Sequence, residues 1–307
     1  MTGQREIADV SVIMPAWRAG GTIGRALQSI ADQTILPREV VIVDDGSDDD
    51  TCERAERMAT ALSPVELRIF RQANAGPGAA RNRAIAESRG SLLAFLDADD
   101  EWLPEKLAVS LPALRDPETC LVAHNMIVER DGTETKVDCA RHLPAGTDAF
   151  TALFVRGFVA TATVVCRRDA IVARDGFDET LLSGQDYELW LAIARFDGRR
   201  IVLLPAYLTR YHVTADSVSS KIGLRRTCAI RIAQRHAPGL RDRARLAPLV
   251  LSKRLAVITA EAALGFAGQK TYGNALAACG GFPWLVASLV VPFVSRGGSE
   301  NETETAR

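Results

Sequence analysis

The sequence lacks the features that mark several specialised classes of protein. Its 37 Lys and Arg residues nearly balance 38 Asp and Glu residues, giving a net charge of −1. Without a positive excess there is no global field to hold a nucleic acid, so we expect no nucleic-acid partner. The six cysteines stand singly, without C-x-x-C pairs, and so indicate neither a zinc site nor a disulfide framework. Residues 1–9 lack the apolar segment of a signal peptide, and we therefore expect a cytoplasmic protein.

The rest of the composition is that of an ordinary globular protein. A hydrophobic content of 47% and a charged content of 24% exclude a disordered chain and a polytopic membrane protein. A chain of 307 residues is long enough for about two domains. We place the boundary near residue 220, between an α/β domain (1–220) and a helical C-terminal region (221–307). The α/β domain itself divides at about residue 100.

The first hundred residues alternate short apolar runs with helical patterns. The runs are rich in β-branched residues and predict strands at residues 10–14, 40–43, 67–70 and 92–96. Apolar spacing between them predicts helices at residues 22–33, 51–62 and 78–88. This βαβαβαβ order predicts an α/β fold whose parallel sheet is covered by helices on both faces. Farther along, residues 120–128 and 161–166 are predicted as strands, and Asp186 as part of the first turn of a helix.

Polar clusters follow three of the predicted strands. Ligands of open α/β sheets bind beyond the carboxyl ends of the strands, so these clusters should share one pocket. Residues 44–47 (DDGS) could accept hydrogen bonds from a base edge, and residues 74–78 (NAGPG), with Arg81 one turn later, suit a diphosphate. The D-x-D pair Asp97 and Asp99 offers hard oxygen ligands for Mg²⁺ or Mn²⁺. Taken singly, each cluster could equally be a turn, a helix cap or a connector.

Seven ordered segments together resemble family 2 glycosyltransferases of the GT-A fold, which are inverting enzymes that use nucleotide sugars. The matching segments are residues 10–17 (VSVIMPAW), 41–48 (VIVDDGSD), 74–83 (NAGPGAARNR), 95–100 (FLDADD), 176–178 (GFD), 184–190 (GQDYELW) and 210–212 (RYH), the last with Ser217 and Ser219. The resemblance covers about two thirds of the chain. It departs from the family pattern at Gln185, where most relatives have Glu, and at Trp17, where many have Tyr.

The resemblance implies a role for each matching residue. Asp186 would be the catalytic base, Asp99 would hold Mg²⁺ or Mn²⁺, and His212 would be a further metal ligand. The remaining residues would bind the nucleotide sugar, which we expect to be a UDP-sugar: Pro15, Ala16 and Trp17 as walls of the base pocket, Asp45 as acceptor from the uracil N3–H, Asn74, Gly76 and Arg81 near the nucleotide, and Asp97 and Ala98 near the ribose.

The implied activity is transfer of a single sugar to a saccharide or lipid-linked saccharide, in bacterial cell-surface polysaccharide biosynthesis. Because no Gln-x-x-Arg-Trp motif follows Asp186, we do not expect a processive synthase. Two alternatives stay open. One is a polyprenyl-phosphate glycosyltransferase, and the other is a non-catalytic module that binds sugar nucleotides.

The C-terminal region combines a basic stretch with an uncharged tail. Residues 271–295 carry no charge and are numerous enough to cross a bilayer core, but Gly and Pro residues interrupt them. The segment could therefore lie in a membrane interface, pack on protein or span. A basic stretch beside an apolar end favours peripheral contact with the cytoplasmic face of the membrane. The basic residues are Arg225, Arg226, Arg231, Arg235, Arg241, Arg243, Arg245, Lys253 and Arg254.

Overall fold

The computed structural model describes residues 5–213, 221–241, 243 and 246–300, without the side chains of 292, 293 and 295–300. Ser217, Ser219 and Arg245 therefore lie outside the described residues. The chain divides into two compact units. The first comprises Met1–Ala149 and Phe158–Ala215, and the second comprises Phe150–Gly157 and Asp216–Arg307. Relative to the boundary expected at residue 220, the division falls slightly earlier and assigns a short internal segment to the C-terminal unit.

In the described part of the first unit, nine strands form one mixed sheet. The strands are β1 (Ile7–Ala16), β2 (Leu36–Asp44), β3 (Glu66–Arg71), β4 (Leu92–Phe95), β5 (Glu101–Trp102), β6 (Thr119–Arg130), β7 (Thr133–Val137), β8 (Val165–Arg167) and β9 (Arg200–His212). Their spatial order is β3-β2-β1-β4-β8-β6-β9-β5, with β7 paired to β6. β1 to β4 pair in parallel, as the sequence predicts. Beyond β4 the sheet is mixed, because β8 runs antiparallel to both β4 and β6.

Helices connect and cover the strands of this unit. They are α1 (Ile23–Ala31), α2 (Thr51–Arg57), α3 (Ala59–Leu62), α4 (Pro77–Glu87), α5 (Lys106–Ser110), α7 (Arg168–Val172) and α8 (Gln185–Phe196), with α6 (Ala149–Val155) leading into the second unit. The helix predicted over residues 51–62 is interrupted at Met58. Most positions of β1 and β2 are buried, which agrees with a sheet covered on both faces. This arrangement brings the ends of β1, β2 and β4 to one edge of the sheet.

The prediction of a strand over residues 161–166 is wrong for the first half of that range. Thr161–Thr163 forms a 3₁₀ turn, and β8 begins only at Val165. The carbonyl groups of the turn accept hydrogen bonds from side chains instead of a neighbouring strand. The Trp102 indole donates to Ala162 O at 3.0 Å, and the Lys106 amine donates to Thr163 O at 3.2 Å. β-branched composition predicted extended backbone here, but these buried donors favour a turn.

The second unit is helical where it is described. Its helices after α6 are α9 (Ile222–His236), α10 (Ala247–Gly268), α11 (Tyr272–Gly280) and α12 (Phe282–Glu300). Tyr272–Val291 is long and apolar enough to cross a membrane by length and composition, and 17% of its most apolar window is buried. Gly281 separates α11 from α12 within this segment. Arg254, expected to belong to the basic surface, is instead 4% exposed, so burial removes it from any surface patch.

Candidate active site

The turn after β2 is built around the buried side chain of Asp45. One carboxylate oxygen accepts hydrogen bonds from the Gln72 amide at 2.8 Å and from Ala75 N at 2.9 Å, and the other accepts from Gly76 N at 2.8 Å. The Asn74 amide donates in return to Asp45 O at 2.9 Å. Asp45 therefore fixes the loop of residues 74–76 that follows β3. Its predicted bond to a base edge would use acceptor capacity left over from these bonds.

The end of β1 lies beside this turn. The Asp45 amide donates to Ala16 O at 2.8 Å, and Ala16 is buried whereas Trp17 is 53% exposed. The Arg18 guanidinium lies 5.0 Å from the centroid of the Trp17 ring. Pro15 is half-buried within the same strand end. An exposed indole next to a buried carboxylate is a surface on which a planar base can stack.

Arg81 and Asp97 form a partly buried ion pair at the same edge. Gly76, with φ of 92°, precedes α4 and turns the chain so that Arg81 points to the end of β4. Arg81 Nη2 lies 2.6 Å from Asp97 Oδ1, and its guanidinium stacks 5.4 Å from the Phe177 ring centroid. Burial alone would lower the pKa of Arg81, but the negative charges of Asp97 and Asp186 outweigh burial and raise it. Arg81 therefore stays protonated in the site, with its charge balanced by Asp97.

Asp99 and Asp100 continue the carboxylate cluster beyond β4. Burial, together with the charge of Asp97, raises the pKa of Asp99 to about 6. Burial and the charge of Asp99 also raise the pKa of Asp100, whose side chain accepts a hydrogen bond from His212 N at 3.0 Å. The Arg25 guanidinium donates to the Asp99 backbone oxygen at 2.7 Å but not to its carboxylate. Like charges thus remain close together in the cluster.

His212 lies at the end of β9 between two carboxylates. Its Nδ1 is 2.7 Å from Glu129 Oε2, and its Nε2 is 2.6 Å from Glu101 Oε1. Both ring nitrogens are therefore engaged, and binding of a metal by His212 would require one of these contacts to break. Ala98, predicted near the ribose, is buried between Asp97 and Asp99.

The donor chemistry of this edge fits a divalent cation held partly by a ligand. Among the described residues, no three His, Cys, Asp or Glu groups come together as a complete metal cage. Asp97 and Asp99 nevertheless offer hard oxygens, and burial together with the charge of Asp97 raises the pKa of Asp99, a cost that a bound cation would relieve. Mg²⁺ and Mn²⁺ often complete their coordination with water and phosphate oxygens. The residues present therefore fit a cation that also binds a diphosphate.

Asp186 lies in the first turn of α8, as predicted from its sequence. Its Oδ2 accepts a hydrogen bond from the Thr161 hydroxyl at 2.7 Å, and its Oδ1 accepts from Tyr187 N at 2.8 Å. Gly184, at φ of 77°, adopts the left-handed conformation before the helix. The helix N-terminus favours the negative charge of the carboxylate.

Contacts between α4 and the segment before α8 bring Asp186 towards the nucleotide edge. Asn82 donates to Phe177 O and accepts from Phe177 N, each at 2.8 Å. The Phe177 ring packs edge-on against Phe95 at 5.7 Å and Trp190 at 6.1 Å, measured between ring centroids. Phe95 belongs to β4 and Trp190 to α8, so one aromatic cluster links the strand before Asp97 with the helix of Asp186.

Sequence reasoning missed several residues that complete the site. These are Arg25, Asn82, Glu101, Glu129 and Thr161. Asn82 and Glu101 lie in or directly beside matched motifs, and that position could have identified them. Thr161 lies in a run of β-branched residues with no motif around it, so its approach to Asp186 could be found only in three dimensions.

Comparison with known proteins agrees with this geometry. A model of glycosyl transferase family 2 matches residues 11–172. The chain is 29% identical over 217 residues to the amylovoran biosynthesis glycosyltransferase AmsB of Erwinia amylovora, across 66% of this chain and 69% of that protein. It is 26% identical over 212 residues to the UDP-Glc:alpha-D-GlcNAc-diphosphoundecaprenol beta-1,3-glucosyltransferase WfgD of Escherichia coli, across 69% of this chain and 79% of that protein.

The fold is also similar to that of a solved mannosyltransferase. PcManGT from Pyrobaculum calidifontis, determined in complex with GDP-Man and Mn²⁺, superposes with a TM-score of 0.62 at 20% identity. The match covers 92% of this chain and 88% of that one, and identifies the fold as GT-A. Since the family model spans more than half of the chain, this protein belongs to glycosyl transferase family 2 and is a glycosyltransferase.

Proposed function

We propose that this enzyme transfers a single sugar from a nucleotide sugar to a saccharide or lipid-linked saccharide acceptor, with inversion at the anomeric carbon. We place it in bacterial cell-surface polysaccharide biosynthesis, and its relative AmsB is named for amylovoran biosynthesis. One observation carries the proposal. The ends of β1, β2 and β4 and the first turn of α8 present an exposed indole, a partly buried Arg81–Asp97 pair, an acidic cluster and Asp186 in one structural unit.

The donor side of the site would bind a nucleoside diphosphate. Trp17 would stack on the base, with Pro15 and Ala16 as neighbouring walls and Asp45 as the acceptor of a base N–H. Asn74 and Gly76 would approach the nucleotide through the loop that Asp45 fixes. Arg81, buried and charged, would attract the diphosphate, and Asp97 and Ala98 would lie near the ribose. We favour a UDP-sugar because UDP-Glc is the donor named for WfgD.

The reaction needs one base and one means of neutralising the leaving group. An acceptor hydroxyl attacks the anomeric carbon, the bond from that carbon to the diphosphate oxygen breaks, and Asp186 takes the hydroxyl proton. Asp99 would hold a divalent cation, with His212 as a further ligand once a carboxylate contact is released. When bound, Mg²⁺ or Mn²⁺ neutralises charge on the departing diphosphate. Asp186 and Asp99 thus have separate tasks.

A panel of nucleotide sugars tests the donor assignment. We expect a thermal shift from one donor class, larger with Mn²⁺ or Mg²⁺ than with EDTA, and slow donor hydrolysis by the same enzyme. A matching response to UDP and to GDP sugars would contradict the preference for uridine. Transfer to polyprenyl phosphate itself, without a saccharide, would favour the polyprenyl-phosphate alternative.

Asp186→Asn tests the catalytic base. The variant keeps the shape of the side chain and should bind donor with unchanged affinity, while turnover falls by about 10² to 10⁴-fold. Glu188→Gln is the control, because it removes the other carboxylate in the first turn of α8. Normal turnover of Asp186→Asn would refute the assignment.

We also propose peripheral contact of the second unit with the cytoplasmic face of the membrane. Several large apolar side chains of α11 and α12 are exposed, among them Leu276 at 74% and Trp284 at 70%. Trp284 lines a groove of about 450 Å³ together with Leu285 and Arg226. The Arg226 Nε has no hydrogen-bond partner among the described residues. An indole beside a guanidinium suits the boundary between acyl chains and anionic headgroups.

Vesicle sedimentation tests this contact. The full-length enzyme should bind vesicles that contain phosphatidylglycerol more strongly than vesicles of phosphatidylcholine alone. Arg226→Ala should weaken binding more than Arg231→Ala, which removes the same charge from an exposed site on the same helix outside the groove. Equal losses would show that only net charge matters, and the absence of any vesicle binding at low salt would exclude the contact.

A further inference from the structure

We infer that Thr161 is a positioning residue for Asp186, so that a buried turn outside every matched motif sets the orientation of the general base. This inference rests on the proposed role of Asp186. The Thr161 hydroxyl donates to Asp186 Oδ2 at 2.7 Å, and Thr161 is 5% exposed. Asp186 itself is only half-buried, so its carboxylate is open to an acceptor while one of its oxygens is held from the protein side.

The two oxygens of Asp186 are held in different ways. Oδ1 accepts from Tyr187 N, a backbone group of α8 itself, at 2.8 Å. That bond comes from the next residue along the chain and moves with the helix. The Thr161 bond spans 25 residues of sequence and joins α8 to the turn that leads into β8. Thr161 is therefore the group that fixes the carboxylate relative to β4 and its carboxylate cluster.

The turn that carries Thr161 is held by buried donors from three other elements. Trp102 Nε1 and the Thr209 hydroxyl both donate to Ala162 O, at 3.0 and 3.1 Å. Lys106 Nζ donates to Thr163 O at 3.2 Å. Trp102, Lys106 and Thr209 are all at most 2% exposed. A hydroxyl mounted on such a turn has little freedom to move, which is what a positioning residue requires.

The geometry makes a mechanistic prediction about the general base. A carboxylate that accepts one bond from Thr161 and one from Tyr187 keeps lone pairs free for the acceptor hydroxyl. Without the Thr161 bond the carboxylate can rotate, and fewer bound acceptors meet it in a reactive arrangement. Loss of the hydroxyl should therefore slow the transfer step without changing how the donor binds.

Thr161→Val removes the hydroxyl but keeps the side-chain shape, and Thr161→Ser keeps the hydroxyl. We expect Thr161→Val to lower kcat about tenfold with an unchanged donor KM, and Thr161→Ser to recover most of the activity. Thr163→Val is the matched control, since its hydroxyl donates to Ala160 O and to no other group in the described part of the chain. Its kcat should stay within about twofold of the wild type, provided that both variants retain the wild-type melting temperature.

A double-mutant cycle separates this inference from the role of Asp186. In the Asp186→Asn background, Thr161→Val should cause no further loss of turnover, because the hydroxyl acts only through the base. If Asp186→Asn abolishes transfer while Thr161→Val leaves kcat unchanged, Thr161 is not a positioning residue although the base assignment stands. If Asp186→Asn is active, the base assignment itself fails. A tenfold loss that persists in the Asp186→Asn background would show a structural effect and overturn the inference.

Discussion

Lys106 should make the free energy of unfolding of this enzyme rise with pH. Its side chain is fully buried, with Nζ 4.7 Å from the Trp102 ring centroid and 3.2 Å from Thr163 O. Burial lowers the pKa of Lys106 from 10.5 to about 7. The same environment, together with the charge of Lys106, lowers the pKa of His124 well below its usual value. A buried amine without a carboxylate partner is costly to protonate.

The sign follows from the protons bound in each state. Below about pH 7 the amine is charged in both states, and the folded protein bears the full cost of a buried charge. Between about pH 7 and 10.5 the unfolded chain binds a proton that the folded protein does not, so stability rises with pH. A difference of about 3.5 pH units corresponds to about 5 kcal/mol across this window, at about 1.4 kcal/mol per unit. Lys106→Met removes this dependence.

Urea unfolding of the wild type and Lys106→Met at several pH values measures the effect. The variant should be the more stable protein at pH 6.5, and its advantage should shrink by about 3 kcal/mol by pH 9.5. The lost hydrogen bond to Thr163 O lowers the stability of the variant at both pH values. Lys136→Met is the control, because Lys136 also lies over an aromatic ring but is exposed. If the difference between Lys106→Met and wild type is the same at both pH values, the reasoning is refuted.

Three further substitutions test other parts of the site. Gly46 has a positive φ, and Gly46→Ala places a Cβ 3.0 Å from a neighbouring backbone nitrogen, so it should weaken donor binding measured by calorimetry. Gly132→Ala is the control: its φ is similar but the added Cβ meets open space, and it should cost only about 1 kcal/mol of stability. Asn82→Ala removes all three hydrogen bonds from its amide to Phe177 and Glu179 before α8, and should lower kcat and the melting temperature together. Asp99→Asn should raise the Mn²⁺ concentration for half-maximal activity at least tenfold, and an unchanged metal titration would contradict its role.

The parallel half of the fold could be predicted from sequence because its signals are local. Short apolar runs separated by helical patterns identified β1 to β4, and the helical spacing of Leu189, Ile193 and Phe196 identified the first turn around Asp186. The same local reasoning failed at Thr161–Thr163, where buried side-chain donors outweigh β propensity. It also placed Arg254 on a surface, although tertiary packing buries that side chain.

Sequence alone determined the family, the fold class and the residues at the strand ends. The order of the motifs identified the family, and the periodicity of apolar residues identified the strands and helices, because both are local properties of the sequence. Tertiary structure decided how those residues are used. In the fold, Asp45 holds the loop after β3 by hydrogen bonds, and His212 lies between Glu101 and Glu129. The Thr161 hydroxyl donates a hydrogen bond to Asp186. These pairings join positions far apart in sequence, and their partners have no shared spacing that a pattern could reveal. Only the folded sheet brings them within hydrogen-bonding distance.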